Sequence, residues 1–164
     1  MKRGIFGRTL LTVAALCLGA SVSSVAAAAK DPSVGNWELD VASSTVNGQA
    51  AFKSGHVSIT STKGEHKSVV DLMPASGAAI HYEGTSKYDG VPAPVTGNTY
   101  FDSADIVQVD RNTIIRTERR GGKVVGVTTI EVSKDGKILH SSSKGTSPDG
   151  KQFTRALTWH RVKK

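Results

Sequence analysis

The sequence predicts an all-β fold, an antiparallel up-and-down (meander) β-barrel of about eight or nine strands. Beyond residue 30, apolar and β-branched residues recur in short runs with a period of two, and there is almost no helical periodicity. Turns containing Gly, Asp or Asn separate these runs, about 11 to 15 residues apart from residue 110 onward. Without helices to cover their faces, so many strands must stack as a sandwich or close as a barrel, and the meander order favours closure.

Turn dipeptides such as Asp89-Gly90 and Gly121-Gly122 bound the strands, because a positive φ costs little at these positions. The predicted strands cover residues 34–39, 56–61, 67–73, 79–87, 106–109, 113–119, 124–133, 137–144 and 153–162.

Alternation along the last strand predicts which side chains face inward. One face carries Phe153, Arg155, Leu157, Trp159 and Arg161, and we predict that it lines the interior because it holds the large apolar residues. Apolar pairs at a spacing of two predict further core positions, at Val57 with Ile59, Ile80 with Tyr82, Val107 with Val109, and Val125 with Val127.

Two segments interrupt the strand pattern. Residues 41–54 are small and polar, so we predict a loop there, with at most a short helical turn across one barrel end. Residues 91–103 hold too much Pro and Gly for a central strand, yet they include Tyr100 and Phe101. Two interpretations of this second loop stay open: it is a functional lid, or its aromatic side chains only dock it on the barrel rim.

The N-terminus predicts an export signal over residues 1–29. Lys2, Arg3 and Arg8 precede an apolar run over residues 9–20, which is followed by small residues up to Ala29. The apolar run is shorter than the roughly 18 to 20 residues that span a bilayer, which favours cleavage over an uncleaved anchor. We therefore expect a periplasmic or secreted protein with no membrane span after cleavage, built as a single domain over residues 30–164.

The signal also changes the composition of the mature chain. Cys17, the only cysteine, lies inside it, so a cleaved chain has no thiol, which excludes disulfides and thiolate nucleophiles. The formal net charge of +7 falls as well: from Asp31 onward, 17 basic minus 14 acidic residues leave +3. The basic residues are dispersed, so we expect no nucleic-acid partner.

A Gly-x-Trp motif opens the first strand and an Arg lies near the end of the last. Gly35, Trp37 and Arg161 in this arrangement resemble the lipocalin and fatty-acid-binding-protein superfamily. The turn sequences at 86–90, 94–98, 121–126, 132–137 and 144–146 are similar to those of small secreted bacterial lipocalin-like proteins. The resemblance implies a barrel in which Trp37 closes one end and Arg161 packs over it. The segment between the first two predicted strands lacks the amphipathic helix pair that caps fatty-acid-binding barrels, so the resemblance implies no particular lipid.

Motifs for catalysis and cofactors are missing from the sequence. The five histidines show no metal-ligand spacing, although two could meet across strands. Gly145-x4-Gly150-Lys151 has phosphate-loop spacing, but Gln152 replaces the hydroxyl residue and the segment is a turn between strands. No Gly-x-Ser-x-Gly elbow is present. We therefore expect no metal, no cofactor and no catalytic residue.

Arg155 is the most suggestive candidate, because a guanidinium facing into a barrel needs an internal carboxylate or an anionic ligand. Tyr82 and Arg116 could join it, and with Leu157, Tyr100 and Phe101 they form the predicted ligand-binding set. The alternative is that Arg155 reaches past the rim to water.

Three functional interpretations follow. The first is an exported, monomeric module that holds a small amphipathic or lipid-like molecule in its barrel. The second is a non-catalytic envelope interaction or stress protein that uses the 91–103 loop and the rim. The third, an enzyme, requires a strongly perturbed carboxylate or histidine at the mouth.

Overall fold

A computed structural model describes residues 31–163, and the predicted signal at 1–29, with Cys17, lies outside these residues. The described chain folds into eleven strands and contains no helix. The strands are β1 Gly35–Val46, β2 Gln49–Ala50, β3 Phe52–Thr62, β4 Glu65–Pro74, β5 Ile80–Lys87, β6 Ala93–Thr96, β7 Ser103–Gln108, β8 Thr113–Arg120, β9 Lys123–Val132, β10 Ile138–Thr146 and β11 Gln152–Val162. No helix in this range could therefore cross a membrane.

The strands form one antiparallel sheet in meander order, β11-β10-β9-β8-β7-β6-β5-β4-β3-β1. The first and last of these strands pair with each other, from Asn36 opposite Val162 to Val46 opposite Arg155, so the sheet closes into a barrel. The short strand β2 only extends the β1 hairpin, with Thr45 opposite Ala50. The predicted all-β antiparallel closed barrel is confirmed.

The strand number is higher than predicted, because the barrel has ten strands and β2 is an eleventh. The predicted loop over residues 41–54 is wrong: β1 continues to Val46 and turns at Asn47-Gly48, where both residues have positive φ. Strand β6 lies inside the other predicted loop and pairs with each neighbour through only two residues. Both segments are too polar or too rich in Pro to show the apolar alternation of a strand.

The interior follows the predicted face of the last strand as far as Trp159, since Leu157 and Trp159 are buried, whereas Arg161 lies at the barrel end and is exposed. Three predicted core positions are wrong, because Val107 is 43%, Val109 is 57% and Val127 is 41% exposed. On β7 the neighbouring Ile106 is buried instead of Val107. On β9 the inward face carries Thr128, so choosing the more apolar face gave the wrong one.

Trp37 closes one end of the barrel and is fully buried. Its Nε1–H donates to the carbonyl of Ser33 at 2.8 Å, and the Arg161 guanidinium lies 4.1 Å from its ring centroid. Arg161 also donates to the carbonyls of Val34 and Gly136. Gly35 has a φ of +149°, a backbone conformation that other residues rarely adopt, and a Cβ there would also displace the Arg161 guanidinium group, so glycine is strongly favoured.

Asp31 fastens the N-terminal segment to this end. Tyr88 donates its hydroxyl to the Asp31 carboxylate, Ser33 donates both N–H and O–H, and His66 Nδ1 lies 3.4 Å away. Burial on its own raises the pKa of Asp31, but these hydrogen bonds outweigh it and hold the pKa well below the usual value of 3.8.

Because the folded pKa is depressed, Asp31 contributes stability that is present above its unfolded pKa and is lost as the pH falls through the folded one. Asp31→Asn is therefore expected to be less stable than the parent at pH 7, with the difference shrinking below about pH 4. Urea unfolding of both proteins from pH 7 to pH 2.5 measures this. A difference that stays constant with pH would show that the carboxylate charge contributes nothing.

Candidate functional site

The other end of the barrel is open, and its mouth encloses about 650 Å³. The side of the mouth formed by β3, β4 and β5 is apolar, with Phe52, Pro74 and Ile80 in its wall. The β10–β11 hairpin supplies a polar side that includes the exposed ion pair of Lys151 and Asp149, 2.9 Å apart. The mouth thus presents both apolar and polar contacts to whatever enters it.

A smaller cavity of about 70 Å³ lies deeper in the barrel, and Tyr82, Phe101 and Arg155 line both spaces. Its volume is about half that of an engineered protein cavity of about 150 Å³ that binds benzene. The deeper cavity therefore has room for a few water molecules or a head-group, whereas the mouth has room for a small molecule.

A row of inward-facing polar residues forms the floor of the mouth. Register places Arg116 of β8 opposite Thr128 of β9, Thr128 opposite Ser143 of β10, and Ser143 opposite Arg155 of β11. Glu118 lies two residues beyond Arg116 on the same face of β8, because strand side chains alternate. These five residues, Arg116, Glu118, Thr128, Ser143 and Arg155, are called the floor cluster below.

Hydrogen bonds connect the residues of the floor cluster, and each donor lies on the side away from Glu118. Arg116 donates to Glu118 Oε1 through Nη2 at 2.6 Å and Nε at 3.0 Å. The Thr128 hydroxyl donates to the same oxygen at 2.9 Å, which leaves the Ser143 hydroxyl, 2.8 Å from Thr128 Oγ1, to donate to Thr128. Arg155 Nη2 then donates to Ser143 Oγ at 3.2 Å. Every bond therefore points toward the Glu118 carboxylate.

Glu118 is only 3% exposed, yet it is held in its charged form. Burial raises the pKa of its carboxyl group, but the positive charges of Arg116 and Arg155 and the hydrogen bonds outweigh this and lower the pKa. For Arg116 the signs are reversed: burial lowers the pKa of its guanidinium group, but the neighbouring Glu118 charge outweighs this, and the pKa is raised. Glycine at position 126 makes room for the carboxylate, since a Cβ there would lie 2.7 Å from Glu118 Oε2.

Arg155 is incompletely paired. Its Nε is the one buried side-chain nitrogen or oxygen among residues 31–163 that has no hydrogen-bond partner. The floor cluster also holds two guanidinium groups and a single carboxylate, which leaves a formal charge of +1. An unpaired buried donor costs free energy, so this nitrogen is a place where an anion would be stabilised.

Aromatic side chains flank the two guanidinium groups. Arg116 lies over the Phe101 ring, with Cζ 5.5 Å from the centroid, and Arg155 lies 5.9 Å from the centroid of Phe153. The Tyr82 ring meets Phe101 edge-on at 5.7 Å. These contacts hold the cations within an apolar surround, where electrostatic interactions are stronger than in water.

The structure brings the residues predicted from sequence to this end of the barrel. Tyr82, Arg116, Arg155, Leu157 and Phe101 line the deeper cavity, and Tyr100 lies at the mouth. Of the two loop aromatics, Phe101 is buried and only Tyr100, at 42% exposure, faces solvent.

The hydrogen-bond partners of the two arginines were not predicted from the sequence. Thr128, Ser143 and Gly126 carry no motif, and they become neighbours only through the registers of β8, β9 and β10. Glu118 could have been predicted as a partner of Arg116, because a spacing of two residues puts both side chains on one strand face.

The fold and the site together define a class of protein: a closed antiparallel β-barrel with an open mouth above a buried, net-positive polar cluster. Neither a scan against protein-family models nor a search of the curated proteins finds a match for this chain. The resemblance to lipocalin-like proteins stays a prediction.

Proposed function

We propose that this chain is an exported binding module that holds a small amphipathic anion in the barrel mouth. The single observation that carries the proposal is the buried Arg155 Nε, which has no hydrogen-bond partner within the described chain. An oxygen of a carboxylate or a similar head-group would complete the hydrogen bonding of this guanidinium. Export to the periplasm or beyond follows from the predicted signal at residues 1–29.

The charge of the floor cluster supports an anion over a neutral ligand. Two of its members, Arg116 and Arg155, are cationic, and Glu118 neutralises only one of them. An anion of charge −1 that binds beside Arg155 would make the cluster neutral, and burial of a balanced set of charges costs much less than burial of an excess charge.

The two cavity volumes support an amphipathic molecule of modest size. The deeper space of about 70 Å³ fits a head-group at most, so the remainder of the ligand occupies the mouth of about 650 Å³. Phe52, Ile80 and Tyr100 line that space and offer apolar surface to a hydrocarbon portion. We infer that the head-group enters first and that the apolar part stays near the rim.

Decanoate, a ten-carbon carboxylate, is a suitable probe, with titration calorimetry as the measurement. Arg155→Met keeps an unbranched side chain as far as the position of Nε and removes the charged guanidinium group, and it is expected to weaken decanoate binding about 10- to 100-fold, the loss of one charge-assisted hydrogen bond. The matched control is Arg111→Met, an exposed arginine in the β7–β8 turn at the opposite end of the barrel, which is expected to bind like the parent.

Decanol, which has the same chain but no charge, separates head-group recognition from non-specific apolar binding. Decanol is expected to bind the parent protein at least about tenfold more weakly than decanoate does. The two probes are expected to bind Arg155→Met with equal affinity. Equal binding of both probes to the parent, or equal binding of decanoate to the parent and to Arg155→Met, would contradict the proposal. Absence of binding to either probe would also contradict it and would favour a surface function at the rim.

A further inference from the structure

The outer face of the barrel carries a second arrangement of ionisable residues, which the floor cluster does not involve. Cross-strand register places His160 of β11 opposite Glu38 of β1, Glu38 opposite His56 of β3, His56 opposite Asp71 of β4, and Asp71 opposite His81 of β5. This outer histidine row therefore alternates imidazole and carboxylate across five adjacent strands. It contains three of the five histidines of the chain.

A surface groove of about 570 Å³ runs along part of the row, and Glu38, His56, Asp71 and His81 all line it. His81 Nδ1 lies 2.7 Å from Asp71 Oδ1. The side chains of His81 and Asp71 are 63% and 53% exposed, so solvent ions reach them freely. Lys53 is the cation that lines the groove beside these two carboxylates, which leaves a formal charge of −1 when the histidines are neutral.

We propose that His56, Asp71 and His81 bind a divalent zinc-type metal ion on the outer wall of the barrel. Imidazole nitrogen and carboxylate oxygen are the ligands that zinc takes alongside water in open sites. Because neighbouring strands are about 4.8 Å apart, His56 and His81 stand roughly 10 Å apart on either side of Asp71, a gap that two imidazole arms can close over one ion.

Glu38 supports this arrangement from the next strand. It lies directly opposite His56 on the side away from Asp71, where its carboxylate can accept the N–H of the His56 nitrogen that is not on the metal. His160 is drawn away from the ion, because its Nε2 lies 3.3 Å from Asp40 Oδ2. The row thus consists of three proposed ligands, His56, Asp71 and His81, one supporting carboxylate, Glu38, and one histidine that takes no part, His160.

Metal binding requires the side chains of the half-buried His56 and of the exposed Asp71 and His81 to rotate. As they stand, no three His, Cys, Asp or Glu side chains within residues 31–163 are grouped closely enough to hold an ion. The strands fix the Cβ positions, however, and only the side-chain torsions of these three residues need to change. The alternative role of the row is cross-strand pairing of opposite charges, which stabilises a sheet modestly and needs no metal.

Titration of the protein with Zn²⁺ alone, followed by calorimetry and by amide NMR shifts, separates metal binding from cross-strand charge pairing. One Zn²⁺ per chain is expected, with shifts centred on His56, Asp71 and His81. His56→Ala and His81→Ala are each expected to weaken Zn²⁺ binding by about 10- to 100-fold. His140→Ala is the matched control, because His140 is an exposed histidine on β10, separated from His81 on β5 by four strands in either direction around the barrel, and its loss is expected to leave binding unchanged.

Thermal unfolding with and without Zn²⁺ guards against a variant that merely folds poorly. Zn²⁺ is expected to raise the Tm of the parent and of His140→Ala but not of His81→Ala, since only a protein that binds the ion is stabilised by it. The proposal is overturned if the parent does not bind Zn²⁺, if His140→Ala weakens binding as much as His81→Ala, or if shifts spread evenly over all exposed histidines. None of these results bears on decanoate binding in the mouth.

Discussion

Replacing Trp37 with Ala is expected to lower the free energy of unfolding by about 3 to 5 kcal/mol, the range found for large aromatic side chains in protein cores. Trp37 is fully buried, its indole N–H donates to the Ser33 carbonyl, and its ring packs against the Arg161 guanidinium group. Its removal leaves a cavity at the closed end and frees the N-terminal segment. Urea unfolding followed by circular dichroism measures the change.

Two controls identify the origin of this effect. Tyr100→Ala removes an aromatic ring that is 42% exposed at the mouth, and it is expected to cost much less than Trp37→Ala. Trp37→Phe keeps an apolar ring and loses the hydrogen bond to Ser33, so it is expected to fall between the two. A Trp37→Ala protein as stable as Tyr100→Ala would show that the closed end does not support the barrel.

Replacing Glu118 with Gln is expected to lower the free energy of unfolding by a similar amount, about 3 to 5 kcal/mol, because removal of one partner leaves a buried charge uncompensated. Arg116 donates two hydrogen bonds to this carboxylate, and Arg155 contributes to the low pKa of its carboxyl group. Glu131→Gln, an exposed carboxylate on β9, is the control and is expected to change stability by no more than about 0.5 kcal/mol.

The acid dependence of stability gives a second readout for Glu118. Its folded pKa is depressed below the usual 4.5, so its contribution is present above that pH and is lost as the pH falls through the folded pKa. The difference in stability between the parent and Glu118→Gln is therefore expected to shrink below about pH 4. A difference that does not change between pH 7 and pH 3 would mean that the charge of Glu118 is not what stabilises the cluster.

Anion binding links this variant to the proposed function. Glu118→Gln leaves Arg116 and Arg155 with a formal charge of +2 in the floor cluster, so decanoate is expected to raise its Tm more than it raises the Tm of the parent. Decanol is expected to raise both equally.

The sequence predicted the fold class because turn chemistry and alternation act locally. Glycines at 64, 90, 121, 122, 136 and 150 all have positive φ, as expected for the turns between strands. Local patterns failed where a strand is polar on both faces or contains proline. The end of β1 and strand β6 are strands because their neighbours offer pairing partners, and neither carries a strong strand signal of its own.

The site was predictable only in part, for a related reason. Arg155 was found because an arginine among Leu157 and Trp159 on one strand face breaks an apolar pattern. Thr128 and Ser143 carry no such signal, since short hydroxyl residues are common on strands. Their role depends on the register of three strands, and the same is true of the outer histidine row. Register between strands is not encoded in the spacing along any one of them.

The proposed function depends on one nitrogen, so the most direct measurement is the ¹H–¹⁵N NMR signal of Arg155 Nε–H, assigned by its loss in Arg155→Met. Saturation with decanoate is expected to shift this signal strongly, as the unpaired donor gains an anionic acceptor, whereas decanol leaves it in place. If decanoate binds and the Arg155 Nε–H signal does not move, the anion is held elsewhere and the floor cluster is not its site.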